Sequence, residues 1–90
     1  MQKRLVILGG GESGVGAAIL AKEKGFEVFV SDRGEIKDKY KNVLKSIDVE
    51  WEEGKHTESK ILTANEVVKS PGIPDTVALI VKIKEQGINV

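Results

Sequence analysis

Cysteine is absent from this sequence, which excludes a disulfide framework and thiolate chemistry and suits a cytoplasmic setting. A charge excess of either sign is missing too. Fourteen Lys and Arg balance fourteen Asp and Glu, so no long-range field recruits nucleic acid or an anionic membrane. No run approaches the roughly 18 consecutive apolar residues of a membrane span. Met1-Gln2-Lys3-Arg4 leads straight into a strand, so neither a signal peptide nor membrane insertion is expected. Histidine is nearly absent. His56 is the only one, has no evident acid or nucleophile partner, and reads as a surface-loop residue. Aromatics make up 4% of the chain, and Trp51 reads as packing rather than as a stacking platform. No cluster suggests a metal site. The 90 residues make one small domain, 40% hydrophobic, which buries about 60–65% of its unfolded surface.

Strand and helix signals alternate from end to end, which argues a parallel sheet with helices on its faces. Residues 5–8 read as a buried central strand, and residues 14–24 as a helix closed by Gly25. Val28-Phe29-Val30 is a second strand. Tyr40, Val43, Leu44 and Ile47 form the i, i+3, i+4, i+7 stripe of an amphipathic helix, whose lysines over 37–45 are its solvated face. Val49 and Trp51 alternate with Glu50 and Glu52, which predicts an edge strand with one wet face. Thr57 is placed to cap a short helix through Ile61 and Leu62. Val67-Val68 form a fourth strand. Asp75 reads as the N-cap of a helix that buries Val77, Ile80, Val81, Leu79 and Ile83 and is closed by Gly87. Ile88-Asn89-Val90 begin a fifth strand, and the abrupt stop there suggests an N-terminal piece of a longer protein. Right-handed crossovers then give a five-stranded parallel sheet of order 3-2-1-4-5.

The most informative segment is Gly9-Gly10-Gly11-Glu12-Ser13-Gly14, directly after the first strand and opening the first helix. N–H groups at a helix start point outward and the helix dipole adds partial positive charge, so such a turn is a socket for phosphate. Gly9 would permit the tight turn, Gly11 the close approach of a pyrophosphate, and Gly14 the contact of helix with strand. Asp32 ends the second strand at the expected spacing of about 20 residues and can accept from a ribose diol or a base. Arg33 beside it can meet a phosphate or stack on a base. Ser70-Pro71-Gly72 follows the fourth strand, with Pro71-Gly72 suited to a type II turn that aims an N–H and the Ser70 hydroxyl outward. In a sheet of this order the three loops converge where strand order reverses, beyond the carboxyl ends of the strands. Gly54-Lys55-His56-Thr57 is not an ATP-binding P-loop, because Lys55 is not followed by Ser or Thr and Val49 stands where the leading glycine belongs.

The glycine segment, Asp32 and above all Ser70-Pro71-Gly72-Ile73-Pro74 resemble the N-terminal domain of the Mur ligases, in particular their D-glutamate-adding members. The likeness runs through the whole chain in order and spacing. It implies a Rossmann-like three-layer α/β domain that holds UDP rather than NAD: Gly11, Glu12, Ser13 and Gly14 on the diphosphate, Asp32 and Arg33 at the uracil, Ser70 and Gly72 lining the same cleft. It implies no catalytic residue and no cofactor in this stretch. The sites for ATP, magnesium and D-glutamate would belong to a central ATP-binding domain and a C-terminal domain of the same cytoplasmic chain. The UDP-muramoyl substrate would be the shared small-molecule partner. An NAD-binding regulatory domain, a flavoprotein N-terminus and an interaction domain with an empty cleft remain alternatives. Neither of the first two explains residues 70–74.

Overall fold

The computed structural model describes residues 2–74 and 77–90. Four parallel strands, β1 (Arg4–Leu8), β2 (Glu27–Asp32), β3 (Glu50–Glu53) and β4 (Glu66–Lys69), lie in the order β3-β2-β1-β4. Between and after them run α1 (Glu12–Glu23), α2 (Asp38–Ser46), α3 (Glu58–Ile61) and α4 (Ala78–Glu85). β1 is apolar on both faces because a central parallel strand is covered on both sides. Leu5 and Ile7 pack with Val15, Ala18 and Ala21 of α1 and Leu44 of α2. Val6 and Leu8 pack on the opposite side with Ile61, Ile80 and Ile83. The three layers follow directly from that strand.

Small residues set the fit of α1. Gly14, Ala18 and Ala21 are its buried positions together with Val15, so the helix axis comes close to the sheet. The register pairs Ile7 with Val30 of β2 and with Val68 of β4, which brings the ends of β1, β2 and β4 to one rim.

Three sequence expectations change. The fifth strand reduces to one parallel bridge, Asn89 to Glu66, supported by the Val67 N–H donating to the Asn89 carbonyl at 2.8 Å. Its place beyond β4 is the expected one, but only Asn89 enters ladder register. Val81, expected in the core, is 42% exposed, because Ile80 and Ile83 already fill the inward side of α4. Glu52, expected on a wet face, is buried at 7% exposure, for reasons that belong to the site. Asp75, expected as an N-cap, lies outside the described residues; α4 begins at Ala78 with Val77 as its N-cap. Among the described residues no helix is long and apolar enough to cross a membrane.

Candidate nucleotide-binding site

The rim is built first from backbone. Gly9 turns the chain out of β1 at φ +114°, a left-handed value that side-chain-bearing residues rarely adopt, and its N–H donates to the Ser31 carbonyl at 2.8 Å. A Cβ on Gly14 would stand 1.9 Å from the Gly9 carbonyl oxygen, so only glycine lets α1 start this close to the turn. Gly11 is the N-cap of α1, and a Cβ there would meet nothing within 4 Å. No side chain caps this helix, which leaves the first-turn N–H groups of Glu12, Ser13 and Gly14 for water or a ligand.

Two clefts open over this turn. The larger, about 370 Å³, includes Gly11, Asp32, Arg33, Ser70 and Gly72 in its lining. The smaller, about 260 Å³, includes Gly11, Ser13, Gly14 and Ser70. They share Leu8, Gly9, Gly11 and Ser70 and so form one continuous groove along the ends of β1, β2 and β4. Of the eight residues expected to hold the ligand, seven line this groove: Gly11, Ser13, Gly14, Asp32, Arg33, Ser70 and Gly72. Glu12 lines neither cleft; it stands exposed at the first position of α1.

Asp32 has a more specific position than a free acceptor at a strand end. Its Oδ2 accepts the Gly10 N–H at 2.7 Å and its Oδ1 accepts the Gly34 N–H at 2.9 Å. One carboxylate thus ties the glycine turn to the loop after β2. The 70–73 turn differs from expectation as well. It is closed by the Ile73 N–H donating to the Ser70 carbonyl at 3.0 Å, but Gly72 does not have the positive φ of a type II turn. The Ser70 hydroxyl receives only a long 3.4 Å contact from the Gly72 N–H, so it still has capacity for a ligand.

The other side of the groove is built from side chains that the sequence reading missed. Ser31 is fully buried in β2, and its Oγ donates to Glu52 Oε2 at 2.8 Å. The same Oγ lies 2.7 Å from His56 Nδ1 and 3.2 Å from the Lys55 carbonyl. Glu52 also accepts the Thr57 N–H at 2.7 Å and the Thr57 hydroxyl at 2.5 Å, so that hydroxyl does not cap α3. Burial works against the charge on Glu52, but the Thr57 and Ser31 donors outweigh it and hold its carboxyl below the usual carboxylate range. Burial pushes the His56 imidazole down as well, against the pull of Glu52 and Asp32 and with help from the positive charge of Arg33. His56 is therefore a half-buried member of the groove rather than a surface-loop residue. The Ser–Glu–His set is no hydrolytic triad, because the serine has no access to a substrate. Alternation along the strand puts Glu52 on the wet face, so its burial is not hinted at in the sequence. Nothing in the local pattern shows that its partner is a serine on the neighbouring strand.

The loop after β2 is also pinned from outside. Glu53 accepts the Ile36 N–H at 2.9 Å and pairs with Lys41 at 2.6 Å. The Lys41 hydrogen bond holds the Glu53 carboxyl low, and Glu53 in turn holds the Lys41 ammonium high. Among the described residues no group of three His, Asp or Glu is placed to hold a metal ion.

Comparison with known proteins identifies the family of this chain. Residues 4–78 match the family described as the MurD N-terminal domain. The chain is 67% identical over 90 residues to UDP-N-acetylmuramoylalanine--D-glutamate ligase of Christiangramia forsetii, covering all of this chain and 20% of that protein. It is 66% identical over 85 residues to the ligase of the same name from Bacteroides thetaiotaomicron, covering 94% of this chain and 19% of the relative. Thus the chain spans about a fifth of the length of these relatives. Among solved structures it resembles a pseudomurein peptide ligase type C from Methanothermus fervidus, with TM-score 0.80 and 29% identity over 98% of this chain and 18% of that one. The UDP-N-acetylmuramate:L-alanyl-gamma-D-glutamyl-meso-diaminopimelate ligase from Neisseria meningitides shares the fold, with TM-score 0.79 and 22% identity over 99% of this chain and 28% of that one. With the match covering most of its length, this chain belongs to the MurD N-terminal domain family.

Proposed function

We propose that this chain binds the UDP part of UDP-N-acetylmuramoyl-L-alanine, as the substrate-holding domain of a cytoplasmic, ATP-dependent ligase that adds D-glutamate during peptidoglycan precursor synthesis. The observation that carries this reading is the continuous groove in which an uncapped helix N-terminus, the Ser70 turn and the Asp32–Arg33 loop meet. The diphosphate fits the N–H groups of Glu12, Ser13 and Gly14, where the helix dipole offsets its charge. Ser70 and Gly72 form the facing wall, and Asp32 and Arg33 stand at the base.

Asp32 also serves as scaffold: each of its carboxylate oxygens accepts a backbone N–H that shapes the groove and keeps a lone pair for a ligand. The glycine turn lacks the lysine that a P-loop uses for ATP, and among the described residues no group of three His, Asp or Glu is placed for magnesium. In this reading both belong to another domain of the same chain, as does the D-glutamate site, and the stretch binds without catalysing.

Titrating the chain with UDP, NAD and FAD by calorimetry or ligand-observed NMR tests the proposal. Weak binding of UDP with no stronger response to NAD or FAD is the expected result. Tighter binding of NAD than of UDP would overturn it.

A further inference from the structure

We propose that His56 determines base specificity in this groove, presenting a fixed hydrogen-bond acceptor at Nε2 to the imide N–H of a uracil-type base. The inference rests on the nucleotide reading above and adds a residue and a selection rule to it. It starts from one proton. The Ser31 hydroxyl has a single hydrogen and three partners in reach: Glu52 Oε2 at 2.8 Å, His56 Nδ1 at 2.7 Å and the Lys55 carbonyl at 3.2 Å. The carboxylate and the carbonyl can only accept. Were the proton given to Nδ1, the Ser31 oxygen would face the ionised Glu52 oxygen with lone pairs on both sides. The proton therefore goes to Glu52, and Nδ1 must carry the imidazole hydrogen and donate it to Ser31.

That assignment leaves Nε2 unprotonated. It has no protein partner among the described residues, and it is not sealed off, since Arg4 Nε is the only buried side-chain nitrogen or oxygen found there without a partner. His56 lines the larger cleft together with Arg33, whose guanidinium can only donate. An acceptor beside a donor complements the edge of uracil, which offers an imide N–H flanked by carbonyl oxygens. Cytosine presents a bare ring nitrogen at the same place, and two acceptors would then meet. Ribose hydroxyls both donate and accept, so a fixed acceptor gains no selectivity from them. The charged groups facing the ring are Glu52 on β3, Asp32 at the end of β2 and Arg33 in the loop beyond it. Burial lowers the imidazole's proton affinity, so the neutral ring is the form present at neutral pH.

Two measurements on the chain test this. Long-range nitrogen–proton correlation spectra of the wild-type imidazole, in mildly alkaline buffer, should show the Nδ1–H tautomer and a shift of the Nε2 resonance when UDP is added. The Nε2–H tautomer, or an unmoved resonance in UDP-saturated protein, overturns the inference without any variant. The second measurement compares UDP with CDP, which differ only in the base. Wild type should prefer UDP by about tenfold. His56→Phe should bring the ratio near unity, and acidification that protonates Nε2 should lower it further in wild type, because a donor there opposes the imide N–H and matches the bare ring nitrogen of cytosine. If UDP binds and its preference over CDP survives His56→Phe, the role of His56 is refuted and the UDP reading stands. If UDP does not bind at all, both fall.

Discussion

The two halves of the groove are made of different materials. Around the ends of β1 and β4 the surface is backbone: a left-handed Gly9, a Gly14 with no room for a Cβ, and helix N–H groups with no side-chain cap. Around the ends of β2 and β3 it is a side-chain network, in which Ser31, Glu52, Thr57 and His56 are hydrogen-bonded across two strands and a loop, with the Asp32 carboxylate beside it tying down backbone N–H groups. The first half suits a group recognised by charge and close approach, such as a diphosphate. The second suits one recognised by its pattern of donors and acceptors, such as a base. The contrast teaches that shape is fixed by glycine in one half of the rim and by hydrogen-bond order in the other.

The comparison breaks most violently at Gly14. Gly14→Ala puts a methyl group 1.9 Å from a backbone oxygen, so α1 must move off the turn. A loss of at least about 3 kcal/mol of stability is expected, together with loss of diphosphate binding, read by thermal or denaturant unfolding. Tolerance of alanine there would mean that the backbone half is less tightly built than described.

Asp32→Ala comes next, because it removes the acceptor of two backbone N–H groups and uncouples the halves. A cost of about 1–3 kcal/mol is expected, with weakened UDP binding. Asp32→Asn should recover only part of it, since one amide face must point a donor at a donor. Glu52→Gln strikes the side-chain half alone. About 1–3 kcal/mol of destabilisation is expected, with the response to inorganic pyrophosphate kept and base preference weakened.

Acid should separate the halves by titration. Both Glu52 and His56 have folded-state proton affinities below their unfolded ones, so each contributes stability that is present at high pH and lost on acidification. For His56 the loss begins below its ordinary value of 6.5, and for Glu52 below 4.5, each completing at the lower folded value. Stability measured against pH should therefore fall in two stages, and His56→Phe should abolish the upper one. The smallest effect is expected from Lys41→Ala. Its ion pair with Glu53 is half-buried but still screened by solvent, and Glu53 keeps its bond to Ile36, so a fall in stability of no more than about 1 kcal/mol is expected from the melting temperature.

How much of this could be read in advance follows the same division. The sheet order and the backbone half were legible, because glycines after an apolar run and small residues on α1 reflect local constraints. The side-chain half was not. Alternation along 49–52 placed Glu52 in water, since periodicity carries no record of Ser31 on the adjacent strand or of Thr57 beyond the turn. His56 looked isolated because its partner is distant in sequence and becomes a neighbour only through strand pairing. The fifth strand was anticipated in the right place but at too great a length, as apolar residues fit a ladder equally well whether one or three of them join it.

The most direct test of the central claim is a map of backbone amide shifts on adding UDP. Saturable shifts should appear together at residues 11–14, at Arg33 and His56, and at Ser70 and Gly72, all following one binding curve. Shifts confined to one half of the rim, or the same set responding more strongly to NAD, would contradict a single groove that holds a uridine diphosphate.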